Sequence, residues 1–83
     1  MKIGKIKMHK NAIKRFDEIL EILGQVSREL SSITEELERY ECMNDVRRKV
    51  FDNIKDTVFK AYMKIDDERM GHAIILMDNG VAY

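Results

Sequence analysis

The residues best able to do chemistry are scattered in this chain, and their spacing argues against catalysis. Cys42, His9 and His72 stand far apart and form no metal-ligand motif. Glu35, Glu36, Glu38 and Glu41 crowd one segment, as in the carboxylate helices of metal-dependent bundles. Such a site wants a second helix with a matching carboxylate–histidine motif, and the sequence has none. No glycine-rich phosphate loop and no Ser-His-Asp or Cys-His grouping is present. The expectation is a protein that is not an enzyme, holds no metal and needs no cofactor.

What remains as chemistry is charge. Residues 1–16 carry six cations and no acid: Lys2, Lys5, Lys7, Lys10, Lys14 and Arg15. Residues 17–41 carry eight acids against Arg28 and Arg39, while the remainder balances at seven against seven. A basic arm ahead of an acidic segment can engage a polyanion such as duplex DNA, or the acidic segment of a neighbouring subunit.

The element that must position these charges is a stripe of apolar residues in steps of four and three. Ala12, Phe16, Ile19, Leu23, Val26, Leu30, Ile33, Leu37 and Tyr40 repeat without a miss, the pattern of a helix packed lengthwise on another. In heptad letters Phe16, Leu23, Leu30 and Leu37 are a and the others d. Ile13 and Leu20 fall at e and Ile22 at g, so the apolar surface is wider than a two-helix contact needs. The stripe reads as core and as an oligomer seam through Phe16, Ile19, Leu23, Val26, Leu30, Ile33, Leu37 and Tyr40.

Around this stripe the spacing predicts a mainly α chain: long amphipathic helices in a hairpin or bundle, with short strand-like termini, as one domain and oligomeric. Residues 1–9 read as a basic, strand-like arm, because Ile6 and Met8 alternate with Lys5 and Lys7. A helix covers 11–41, with Asn11 as its cap. Gly24, and Ser27 as a new cap, offer a break over 24–27, whereas the unbroken heptad phase favours continuity. A second helix covers 45–69, ended by Gly71. Residues 72–83 read as short strand and turn, with Asn79-Gly80 as the hairpin signal. Phe59, Met63 and Met70 lie off the second helix's main apolar arc and form either packing or a partner patch.

Residues 2–40 also resemble the ribbon-helix-helix DNA-binding family. The resemblance rests on Lys5-Ile6-Lys7-Met8, Ala12, Ile13, Phe16, Ile19, Leu20, Gly24 and Ser27-Arg28. It implies that Lys5 and Lys7 enter the major groove from a strand and that amides at Ser27 and Arg28 hold phosphate at a helix start. The sequence departs from that pattern at Leu30-Ser31, where a second apolar residue is expected beside Leu30.

With 83 residues there is room for one modest core, so self-association is a natural supplement. A single cysteine excludes an internal disulfide and fits a reducing compartment. No apolar run approaches a membrane span and no signal-peptide pattern is present, so the expected location is cytoplasmic and away from membrane. The leading functional expectation is a homo-oligomeric helical binding protein acting on another protein, as adaptor or inhibitor. The alternatives are a ribbon-helix-helix-like DNA regulator and a bundle that binds a small anionic ligand.

Overall fold

A computed structural model describes residues 1–83 and consists of two long helices, α1 (Ile3–Arg39) and α2 (Asp45–Asp78), folded back on each other as a hairpin. The molecule is a rod of 58 × 15 × 15 Å. The absence of proline lets both helices run at length.

α1 is continuous. Gly24 sits inside it, and Ser27 is mid-helix rather than a cap. The 24–27 break does not form because Leu20, Leu23 and Leu30 all pack on α2, and one helix keeps them in phase. A Cβ at Gly24 would meet only the end of the Arg28 side chain at 3.5 Å, an ordinary contact. Gly24→Ala is therefore expected to raise stability by about 0.5–1 kcal/mol, read as a higher denaturation midpoint.

The strand-like arm over 1–9 is corrected: the chain is helical from Ile3, and Asn11 is not a cap. The period-two pattern of Ile6 and Met8 loses to a helical one. Ile6, His9 and Ile13 fall on one face and reach α2, while a lone strand would have no partner. The start of α1 is poorly secured. Lys2 offers no side-chain cap and the first turn holds no acid, so nearby cations oppose the helix dipole.

α2 starts where expected. Asn44 caps it, its Oδ1 accepting the Arg47 N–H at 2.8 Å. Arg47 also donates through Nη1 to the Cys42 carbonyl at 2.8 Å, tying the connection together. The predicted end at Gly71 is corrected, and with it the strand over 72–83: the helix runs on to Asp78. Ala73 and Leu76 pack with Ile13, and that burial outweighs the cost of one mid-helix glycine. Gly80 performs the role expected of Gly71. It adopts φ 69°, Val81 N–H donates to the Leu76 carbonyl at 2.9 Å, and Gly80 N–H donates to the Met77 carbonyl at 3.0 Å. Val81 folds back on the same core. α1 ends in the same way, with Cys42 N–H on the Leu37 carbonyl at 2.7 Å, but Glu41 takes the left-handed position at φ 56°. A non-glycine residue there is strained.

The core is small and lies at one end. His9, Ile13, Leu20, Ala73 and Leu76 are the buried residues, all in the half of the rod away from the connection.

Candidate functional site

The sequence seam divides in two. Phe16, Leu23, Leu30 and Leu37, the a positions, are half-buried against α2, with Ile13 and Leu20 beside them. The d positions Ile19, Val26, Ile33 and Tyr40 stay exposed, as does Ile22 at 59%. The helix turns about 100° per residue, so with a and e facing α2, d and g point together to one flank. α2 packs through Phe51, Lys55, Val58, Ile65, Arg69, His72 and Leu76. Its residues on the corresponding flank include Val50, Ile54 and Ile75, also exposed. Because the helices are antiparallel, these two exposed sets lie on the same side of the rod. The result is one mainly apolar flank, about 50 Å long from Met8 to Tyr40 at the α-helical rise, interrupted at g by Arg15, Glu29 and Glu36.

The opposite flank carries the ion pairs between the helices, beside the exposed Phe59, Met63 and Met70. Arg69 donates through Nε to Asp17, and Arg48 through Nη1 to Glu38 at 2.7 Å, each joining the two helices. The hydrogen bond from Arg69 to Asp17 holds the guanidinium pKa above its usual value. Lys60 pairs with Asp56 at 2.8 Å on the surface of α2, and the hydrogen bond raises the ammonium pKa. Such exposed pairs add little stability. A shallow cleft here is lined by Asp17, Glu21, Gly24, Arg28, Tyr62, Asp66 and Arg69, among others. Two cations against three acids, with Arg69 already engaged, do not make an anion cradle. Ser27 and Arg28 are mid-helix, so their amides are not a free helix start.

The basic residues Lys2, Lys5, Lys7, Lys10, Lys14 and Arg15 are all exposed, and none joins an ion pair. Their geometry differs from the strand expectation. On a helix Lys5 and Lys7 point about 160° apart, whereas Lys7, Lys10 and Lys14 share one ridge.

Phe59, Met63 and Met70 are exposed, Phe59 at 62%. Met77 extends the ridge at the same seven-residue step and is exposed too. It was not legible as part of the patch, because the sequence placed it in a strand.

The pair formed by His9 and His72 is a second feature sequence spacing concealed. Their Nδ1 atoms lie 2.8 Å apart and the ring centres 5.1 Å apart, so the two rings aim nearly straight at each other. One Nδ1 must carry a proton and the other accept it. Phe16 lies against His72 at 5.7 Å between ring centres. No group of three or more potential metal ligands forms. Replacing either histidine alone by Leu removes a hydrogen-bond partner from a sheltered site and is expected to cost about 1–3 kcal/mol. Replacing both should cost less than the sum of the singles, since no imidazole is then left without its partner. Denaturation of the four proteins in this cycle checks the coupling; additive losses would contradict it.

No helix is long and apolar enough to cross a membrane. Comparison with known protein families, with curated proteins and with solved structures finds no match.

Proposed function

We propose that this chain is a non-enzymatic interaction protein that works as a homodimer, with the apolar flank as the surface on which two copies meet. The single observation that carries the reading is the uncovered row of Ile19, Ile22, Val26, Ile33 and Tyr40 beside Val50 and Ile54.

Surface area supports it. The hairpin exposes 6460 Å². A compact monomer of 9.8 kDa exposes about 5,200 Å². The excess, about 1,300 Å², is larger than the roughly 800 Å² that a standard interface removes from each partner. The radius of gyration is 18.2 Å, against about 12 Å for a compact chain of this length. Pairing two rods flank to flank gives a four-helix arrangement with a shared core where each hairpin alone has little. The Phe59–Met63–Met70 ridge stays outside that core and serves as a docking surface for a different protein, as an adaptor or inhibitor requires. Size-exclusion chromatography with light scattering tests the reading. A mass twice the 9.8 kDa chain at micromolar concentration is expected; a stable monomer would sink it.

A second reading, binding of duplex DNA or another polyanion, is favoured by the exposed and unpaired cations at the start of α1. The Lys7–Lys10–Lys14 ridge would carry it, through phosphate rather than base contacts. Under this reading the Lys7→Ala/Lys10→Ala/Lys14→Ala protein should bind duplex DNA more weakly. Its salt slope should be shallower by up to about 0.9 for each phosphate no longer neutralised. Anisotropy titrations at two salt concentrations measure both. No binding by the wild type at low salt removes this reading and leaves the first.

A further inference from the structure

Resting on the dimer reading, we propose that the two copies pack antiparallel, α1 on α1, about a two-fold axis that passes beside Ile22 and lies across the helices. Two axes can bring one flank onto itself. An axis along the rods sets α1 over the partner's α2, with both connections at one end. An axis across the rods sets α1 over α1, with the connections at opposite ends. The sequence of the flank selects the second.

Along α1 the flank reads Met8, Arg15, Ile22, Glu29 and Glu36 at g, and Ala12, Ile19, Val26 and Ile33 at d. Reversal about Ile22 pairs Arg15 with Glu29 and Ile22 with itself in the g row, sets Met8 against Glu36 at the ends, and brings the d row to within one residue of register. Ile19 then lies one residue, about 1.5 Å along the helix, from register with Val26 of the partner subunit, and Ala12 likewise with Ile33 of the partner subunit. Arg15 falls against Glu29 of the partner subunit, twice by symmetry. Self-complementarity of this kind is what an isologous interface needs. Arg15 and Glu29 are both exposed and neither has an ion-pair partner within its own chain, so both are free for this contact.

The wider charge pattern runs the same way. Residues 1–16 hold six cations and no acid, and residues 17–41 hold eight acids against two cations. Antiparallel overlay lays each basic segment along the partner's acidic one, whereas the axis along the rods would lay both segments along the partner's α2, whose charges balance at seven against seven. The poorly secured start of α1 gains from this, because the acidic segment of the partner approaches a helix end that lacks both cap and acid.

Two measurements test the arrangement, both on the full chain carrying Cys42→Ser. In the first, Ile22→Cys is treated with a short bis-maleimide. A position beside the axis meets its own copy, so efficient cross-linking to a covalent dimer is expected, while Phe59→Cys on α2 should cross-link poorly. In the second, Arg15→Glu and Glu29→Arg are each expected to weaken the dimer about tenfold by setting like charges together, and the double variant to recover most of the loss. Circular dichroism confirms that each variant remains helical. A wild-type dimer that shows neither Ile22→Cys cross-linking nor recovery in the charge swap overturns the arrangement and leaves the dimer standing. A monomeric wild type overturns the dimer reading and the arrangement with it.

Discussion

Leu76→Ala should be the most damaging single truncation in this chain, with an expected loss of about 2–5 kcal/mol. Leu76 is 0% exposed, the most completely enclosed side chain in the molecule. It joins Ile13 and Ala73 in the only buried apolar cluster, with Ile6 and Val81 packed around it. Its carbonyl also accepts the N–H groups of Asn79 and Val81 at the end of α2, so the same turn organises the core and the terminus. Total stability for a domain of ordinary size is about 5–15 kcal/mol, so this loss is a large share of it. The thermal midpoint should fall by about 10 °C or more. An unchanged midpoint would mean that the core does not lie at the end away from the connection.

A carboxylate placed on the apolar flank should have an equally large effect, of a different kind. Ile19 and Val26 are 39% and 38% exposed in the hairpin and lie outside its buried cluster of Ile13, Ala73 and Leu76, so Ile19→Asp or Val26→Asp should cost a single rod less than a core truncation. In the proposed dimer both positions would enter the shared core, where an unpaired carboxylate costs several kcal/mol. The double variant is expected to weaken association by about a hundredfold or more and to stay helical as a monomer. Sedimentation equilibrium alongside circular dichroism separates these effects. A variant that keeps the wild-type mass would show that the flank is not the interface.

The long helices were legible because the apolar residues of α1 repeat without a miss and no proline intervenes. So was the start of α2 near residue 45, where the Asn44 side chain caps its own first turn. The ends of the helices were harder to read. Over Lys5–Met8 alternation is locally as good a pattern as helix, and only contact of Ile6 and His9 with residues more than sixty positions away decides between them. At the other end Gly71 and Gly80 carry the same terminating signal. The burial of Ala73 and Leu76 between them selects Gly80. The candidate surface was half visible. The stripe contains both the positions that meet α2 and those that do not, and the wheel cannot say which a helix spends on its own partner. The extra apolar positions Ile13, Leu20 and Ile22 widen the stripe beyond a two-helix contact. Ile13 and Leu20 turn out to face α2, and Ile22 the open flank. The His9–His72 pair left no trace in spacing, because it is made by the hairpin rather than by either helix.

The central claim, that the apolar flank is covered in solution while the methionine ridge is open, is tested most directly by hydroxyl-radical footprinting of the wild-type protein with residue-level mass spectrometry. Ile19, Ile22, Val26 and Ile33 are expected to be protected well beyond what their exposure in a single hairpin allows, and Phe59, Met63 and Met70 to label freely. Protection of the four flank residues should fade on dilution. Labelling of the flank in line with single-hairpin exposure at every concentration would contradict the account.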